Sequence, residues 1–409
     1  MEYRDSTLYL EEVPLADVAR REGTPCYVYS QAAILDRFRA YDQAFGEVPH
    51  QVCYAIKANS NLSILKLLAQ AGAGFDIVSG GELFRALQAG ADPGGIIFSG
   101  VGKTVQEIDY ALEHRIKSFN CESEPELALI DSLAARRGIQ ARIALRVNPD
   151  VGAETHPYMT TGLREHKFGI DIAEAEAVYD RARSLESLRL EGVSCHIGSQ
   201  ITEISPMLAV FDKMIALVER LRARGLPIRT LDLGGGLGVA YKPGDQAPSI
   251  CEFIQAMCRR VAGHDLEILV EPGRSIVAES GVLLTRVLYR KSNAGREFII
   301  VDAAMNDLIR PALYQSHHEI VPLRRAPGPA ITADVVGPVC ETGDFLARAR
   351  PMPNVLPGDL LAICTAGAYG FVAASNYNSR PRPPEILVDA GRFRVIRQRE
   401  KYEDLIRGE

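Results

Sequence analysis

The sequence predicts an α/β chain in which a (β/α)8, TIM-like barrel is followed by a C-terminal antiparallel β-barrel or sandwich domain. Three observations predict it. From about residue 51 to residue 274, short apolar or β-branched runs alternate with amphipathic helical stretches, the pattern of repeated βα units and a parallel sheet. The runs number eight, as a closed barrel requires. After residue 280 the texture changes to strand-like runs separated by Pro and Gly, which reads as an antiparallel β domain. With 409 residues, 47% hydrophobic and 24% charged, the chain is long enough for one barrel-sized domain and a smaller partner.

The eight runs are QVCYAIKAN from Gln51, GFDIVS from Gly74, GIIFSG from Gly95, KSFNCES from Lys117, ARIALRVN from Ala141, LEGVSCHIGS from Leu190, RTLDLGGG from Arg229 and EILVEPGR from Glu267. Helical stretches such as TVQEIDYALEHR and PELALIDSLAARRG follow most of them. The fifth connection is the outlier: PDVGAETHPYMTTGLREHKFGID precedes its helix, and long ordered loops on a barrel are usually functional. The barrel is therefore expected over residues 31–280 and the β domain over 281–409. Residues 1–30 carry the strand-forming TLYLEEVPL and PCYVYS and are expected to join the β domain.

Charge and composition narrow the function. Forty-six Lys and Arg against 52 Asp and Glu give a net charge of −6 without a block of like charge, which argues against nucleic acid as a partner. The first fifteen residues lack the basic start and apolar run of a secretion signal, and no segment offers 18 uninterrupted apolar residues, so a cytoplasmic protein without a membrane span is expected. Eight cysteines without a CxxC pair suit reduced thiols, most of them buried apolar fillers.

In such a barrel the chemistry lies at the C-terminal strand ends, and here those ends are polar: Lys57, Asp76, Ser79, Ser99, Glu122, Asn148, His196, Ser199, glycines 234 to 236, Glu271 and Arg274. Lys57 closes the apolar YAIKAN, where a desolvated amine can form a Schiff base; a lone strand-end lysine otherwise snorkels to solvent. Gly234, Gly235 and Gly236 let backbone N–H groups approach a phosphate, or simply make a tight turn. They do not meet the spacing of a dinucleotide fingerprint. Glu271 ends the strand that closes against the strand of Lys57, where a carboxylate could hold the proton of a pyridine nitrogen. Lysine, glycines and glutamate together meet the demands of pyridoxal phosphate chemistry. His196 could stack on the flat ring. His317, His318 and Glu319 suggest metal ligands at first sight, but adjacent histidines on a strand point apart, and no metal is assigned.

YAIKAN, HIGSQ, LGGGLG, EPGR, NDLIRPALY, GPVCETGD and GAYG, in order and over nearly the whole chain, resemble the diaminopimelate decarboxylase family of the alanine-racemase-like pyridoxal phosphate enzymes. HKFGID also agrees, whereas GVAYKPGD departs where relatives often carry Pro in place of Ala240. The resemblance implies that Lys57 is the Schiff-base lysine and His196 the ring-stacking residue. It places Ser199, Gly235, Gly236, Glu271, Gly273, Arg274 and Tyr369 at the cofactor, and Arg274, Arg310, Tyr314, Glu341 and Tyr369 at the substrate. Cys340 becomes the proton donor to Cα, suited to this by a reference pKa of about 8.5. Cys340 and Glu341 come from the partner subunit, which implies a homodimer with shared active sites.

The reaction so implied is decarboxylation of meso-diaminopimelate at its D-configured centre to L-lysine and carbon dioxide, the closing step of lysine biosynthesis. Arg274 and Arg310 call for a distal carboxylate and argue against ornithine or arginine as substrate, whose cationic ends need carboxylates around them. A racemase would resemble the branch with arginine on the ring nitrogen. A catalytically dead cofactor carrier would resemble the barrel alone.

Overall fold

Period-two alternation along the eight apolar runs decides which side chains face the inside of a closed parallel sheet. In the computed structural model, which describes residues 1–150, 167–325 and 328–409, these runs form β1 (His50–Ala55), β2 (Gly74–Ile77), β3 (Ile96–Phe98), β4 (Ser118–Cys121), β5 (Ala141–Asn148), β6 (Leu188–Ser194), β7 (Thr230–Asp232) and β8 (Glu267–Val270). Each pairs in parallel with the next. The sheet closes where Ile268, Leu269 and Val270 pair with His50, Gln51 and Val52. The polar fifth connection falls largely on residues 151–166, outside the described residues.

The barrel belongs to a unit made of Arg37–Val239 and Gln246–Ser275. Inside it, Cys53, Ile97 and Leu269 form an apolar layer. Two residues further along their strands, on the same face, stand Ala55, Ser99 and Glu271, so the interior turns polar within one step toward the strand ends. Lys57 does not end β1, as expected from the sequence; it sits in the single 3-10 turn Ile56–Ala58 after Ala55. Asn61 then accepts from the Ser63 N–H at 2.9 Å and starts the helix Leu62–Gln70.

Some polar strand ends prove to be scaffolding. Ser79 caps the helix Gly80–Gln88 through the Glu82 N–H. Thr104 and Glu107 form a capping box on Val105–Glu113, and the other Glu107 oxygen accepts from the Gly80 N–H at 2.8 Å, tying two helix starts together. Glu122 pairs with Arg146 at 3.0 Å and accepts from the Gly169 N–H at 2.6 Å.

The second unit comprises Met1–Asp36, Ala240–Asp245 and Ile276–Glu409. Its long strand Gly281–Asn293 organises the sheet. One half pairs antiparallel with Cys26–Ser30 and Leu360–Ile363, the other with Arg296–Val301. The sheet is mostly antiparallel, with two parallel pairings: Arg296–Val301 on Ala330–Val336, and Glu385–Asp389 on Cys26–Ser30. Phe345–Pro353 is a strand that the sequence reading passes over, because FLARARPMP holds two arginines, two prolines and no β-branched residue. Leu8, Leu10, Val28, Val282, Leu284 and Ile386 pack in the core of this unit. Tyr29 donates to the fully buried Glu385 at 2.8 Å, and Arg397 pairs with its other oxygen at 2.6 Å.

Gly281 and Gly367 lie so close that a Cβ on either would overlap the other's backbone, and one on Gly367 would also strike the Val277 carbonyl oxygen. Gly367→Ala should therefore cost about 1–3 kcal/mol or more, because backbone atoms cannot swing away as a side chain can. Gly102→Ala is the control, since nothing lies within 4 Å of its added methyl. Paired thermal melts in which both proteins unfold at the same temperature would refute this packing.

Candidate active site

At the C-terminal end of the barrel four ionisable side chains from four strand ends converge. Lys57 Nζ hydrogen-bonds to Asp76 Oδ2, with Asp76 fully buried and the lysine side chain 37% exposed. Glu271, following β8, and Asp232, ending β7, are both buried and hydrogen-bonded to each other. Asn120 from β4 donates to Asp232 Oδ2 at 2.8 Å and to Glu271 Oε1 at 3.3 Å, and the Ser99 hydroxyl donates to the same Glu271 oxygen at 3.2 Å.

Two carboxylates this close and this dry cannot both ionise. Burial pushes Glu271 well above the carboxylate range, and the charges of Asp232 and Asp76 push it further. Asp232 is raised by burial to about 6, opposed by hydrogen bonds from the Gly234 N–H, from Asn120 and from Glu271. Glu271 thus carries the proton and Asp232 the charge.

The sequence expectation for Glu271 was an ionised carboxylate at the ring nitrogen. Burial first, and then the charges of Asp232 and Asp76, favour the protonated form of Glu271, and Asp232 is a member of the cluster that the motifs do not mark. The signal was present in RTLDLGGG as an acid two residues before the triplet, but its coupling to Glu271 needs β7 beside β8.

His196 accepts at Nδ1 from the Gly235 N–H at 3.2 Å, so its proton sits on Nε2. Burial holds the ring well below the ordinary histidine range, with Arg146 and Lys57 adding to this, and it stays neutral. The glycine triplet differs from a simple phosphate cradle, since Gly234 donates to Asp232 Oδ1 at 2.9 Å and Gly235 to His196. A Cβ on Gly235 would overlap the Glu271 carbonyl, and Gly236 takes φ +114°. Gly235 therefore lets β7 come close enough to β8 to seat the acid pair, whereas a Cβ on Gly234 would meet His196 and the Cys195 carbonyl. A Cβ on Gly273 would crowd Ala55 and Ala58, which flank Lys57. Ser199 accepts from the buried Arg274 at 3.0 Å.

Two acceptors in this cluster, Asp76 Oδ1 and Asn120 Oδ1, are buried without a hydrogen-bond partner among the described residues. Beside an amine and a proton-bearing acid, they fit a flat ligand that brings its own N–H or O–H donors. Pyridoxal phosphate, with an aldehyde for Lys57, a ring nitrogen for Glu271 and a hydroxyl on the ring, meets that description.

The β unit holds the other expected site residues. Cys340 is exposed, and its backbone N–H donates to Asn378 Oδ1 at 2.7 Å. Glu341 is exposed as well and accepts weakly from the Tyr377 hydroxyl at 3.5 Å. Tyr369 takes the left-handed φ of +55°, uncommon for an aromatic residue. Arg310 opens the short helix Arg310–Tyr314 and is 3% exposed. His317 pairs with Glu319 at 3.2 Å while His318 turns inward to Arg310, so the adjacent imidazoles do part company. Of the cysteines, 26, 53, 121, 195 and 364 are buried, as fillers should be, and burial lifts their thiols.

The acid pair sets a pH dependence. In the unfolded chain these carboxyls ionise near 4. In the folded, cofactor-free barrel Asp232 ionises near 6 and Glu271 higher. The folded state thus binds more protons, and its stability should fall as pH rises from about 4 through 6 and beyond. Glu82 and Asp307, each raised to about 7 by burial, titrate in the same window, so the test is a difference. Between pH 5 and pH 8 the melting temperature of cofactor-free Glu271→Gln should drop less than that of the wild type. Equal drops would show that the two acids are not coupled.

Comparison with known proteins agrees with this geometry. Residues 31–278 match the family model described as pyridoxal-dependent decarboxylase, pyridoxal binding domain. Over 407 residues the chain is 53% identical to a diaminopimelate decarboxylase of Pseudomonas aeruginosa, covering 100% of this chain and 98% of that one. A diaminopimelate decarboxylase of Aquifex aeolicus is 47% identical over 99% of this chain and 96% of its own. The crystal structure of a Helicobacter pylori diaminopimelate decarboxylase complexed with L-lysine superposes with a TM-score of 0.92 at 44% identity, covering 96% of this chain and 98% of that one. With the cluster of Lys57, Asp76, Asp232 and Glu271 at its barrel mouth, the chain belongs to the pyridoxal-dependent decarboxylases, among the diaminopimelate decarboxylases.

Proposed function

We propose that this chain decarboxylates meso-diaminopimelate to L-lysine with pyridoxal phosphate as cofactor. The observation that carries the reading is the buried Glu271–Asp232 acid pair, held by Asn120 and Ser99, beside a lysine amine paired with Asp76. Its relatives over the full length bear the same activity in their names. Bound pyridoxal phosphate supplies an electron-accepting ring that takes the electron pair left behind by departing carbon dioxide.

The chain's own residues do the rest. Lys57 provides the amine that holds the cofactor. Asp76 anchors that amine. Glu271 would hold the proton at the ring nitrogen of the bound cofactor, with Asp232 hydrogen-bonded to Glu271. His196, neutral, offers a flat uncharged face to the ring. Ser199, Gly235, Gly236, Gly273, Arg274 and Tyr369 complete the cofactor set. Arg274, Arg310, Tyr314 and Tyr369 recognise the substrate, the arginines pairing with carboxylate. Cys340 returns a proton to Cα, with Glu341 beside the substrate, both from the second subunit of a homodimer.

Localisation is proposed to be cytoplasmic. Eight unpaired cysteines support that placement. Among the described residues no helix is long and apolar enough to cross a membrane.

The direct test is carbon dioxide release by the cofactor-loaded protein over a substrate panel. L-lysine and D-lysine lack the distal carboxylate, and removing one partner of a buried charge pair costs about 3–5 kcal/mol, which predicts roughly a hundredfold to several thousandfold preference for meso-diaminopimelate. Lysine or ornithine decarboxylated as fast would overturn the substrate assignment and leave the cofactor chemistry standing.

Shared sites predict complementation. Lys57→Ala should lose nearly all turnover and the visible absorbance of bound cofactor, and Cys340→Ala should lose turnover alone. Mixed and allowed to exchange subunits, the two inactive proteins should regain activity in dimers that pair an intact Lys57 with an intact Cys340. Proven exchange without recovery would mean that each site is built within one chain.

A further inference from the structure

We propose that His318 is a positioning residue whose neutral imidazole sets the orientation of the Arg310 guanidinium for the distal carboxylate of the substrate. This deepens the reading above and rests on Arg310 being the residue that meets that carboxylate.

The proton positions follow from the partners. His318 is fully buried. Its Nδ1 lies 2.9 Å from the Cys364 carbonyl oxygen, which can only accept, so Nδ1 carries the hydrogen. Its Nε2 lies 2.9 Å from Arg310 Nη1, and a guanidinium can only donate, so Nε2 presents its lone pair. A single neutral tautomer satisfies both contacts.

The anchorage is rigid. Cys364 follows the strand Leu360–Ile363, which pairs with Ile320–Pro322, and the Cys364 N–H donates to the Glu319 carbonyl at 2.8 Å. The sheet thereby fixes both sides of His318. Arg310 is held at two further points: Nη2 donates to the Ser316 hydroxyl at 3.3 Å, and its Cζ lies 4.5 Å from the centre of the Tyr241 ring. That ring stands edge-on to His318, with centroids 5.3 Å apart and planes at 78°. Sheet, carbonyl, imidazole and guanidinium form one chain of contacts.

The choice of acceptor matters for recognition. A carboxylate at position 318 would hold Arg310 equally well but would neutralise it and compete with the substrate's own carboxylate. A neutral imidazole fixes the plane of the fork, on which bidentate pairing depends, without itself adding a negative charge beside it.

Two substitutions separate the contacts. His318→Asn places an amide where Nδ1 was and keeps the bond to Cys364 while removing the acceptor for Arg310. His318→Gln reaches the Nε2 position and restores that acceptor. With the cofactor-loaded protein, His318→Asn should raise KM for meso-diaminopimelate about 10- to 100-fold with little change in kcat, the expected loss for one hydrogen bond to a charged donor. His318→Gln should recover most of it. In an Arg310→Leu background His318→Asn should change KM no further.

Equal KM values for the Asn and Gln proteins, or a KM in Asn that stays at the wild-type value, would overturn the role of His318. Should the Asn protein not fold, the Gln protein decides: a KM within about threefold of wild type supports the acceptor role, and one as high as in Arg310→Leu overturns it. An Arg310→Leu protein with unchanged KM would instead overturn the assignment of Arg310, and with it this proposal, while carbon dioxide release by the wild type would still report on the reaction itself.

Discussion

Three carboxylic acids and one amine share the dry mouth of a closed barrel, and most of the local structure follows from keeping them there. Burying an unpaired charge costs several kcal/mol. The four groups answer by dividing into a Lys57–Asp76 ion pair and a Glu271–Asp232 pair that retains a proton. Glu271 stays in place because β8 closes on β1, and Asp232 because β7 runs beside β8. Gly235 allows that approach, and the Gly234 and Gly235 N–H groups turn onto Asp232 and His196. Asn120 and Ser99 supply the donors that two acidic oxygens need. Remove any one of these and a buried polar group loses its partner, which explains why so many polar residue types end apolar strands.

Two of the buried arginines, unlike Arg146 with its Glu122 partner, follow a different rule. Arg274 donates to a serine hydroxyl, and Arg310 to an imidazole nitrogen and a serine hydroxyl. Those contacts orient each guanidinium. In the acid cluster a shared proton lowers the charge, whereas the acceptors named for these arginines are neutral groups. The contrast suits a reaction that needs a protonated cofactor ring and the recognition of a carboxylate.

Much of this was legible in the sequence. The eight parallel strands, Lys57 beside an apolar run, Glu271 in the last strand end and the β-rich C-terminal part could all be read from periodicity and from residue type at strand ends, because one-dimensional patterns specify which residues face inward. What could not be read were relations across strands. Ser79 and Glu122 look like site residues by position, yet one caps a helix and the other pairs with Arg146. Asp232 looks like an ordinary strand residue until β7 lies against β8. Phe345–Pro353 hides its strand under arginines, since an edge position tolerates charge and proline that a central strand would not.

Cys340 and Glu341 pose the remaining structural question, for they are the most exposed members of the proposed site. An acid that protonates a carbanion works best where bulk water cannot compete for the same carbon. A thiol open to solvent on a single chain does not meet that condition. The Cys340 backbone is nonetheless tied down, its N–H bound to an Asn378 that itself adopts a left-handed φ of +58°. Holding an exposed loop this firmly in an uncommon conformation has a cost of order 1 kcal/mol or more, which a folded chain bears without return if the loop merely faces water. Held ready and uncovered, the segment has the character of a surface made to be covered. A second copy of the chain, carrying its own Lys57 and Glu271, is the cover that the proposed shared site supplies.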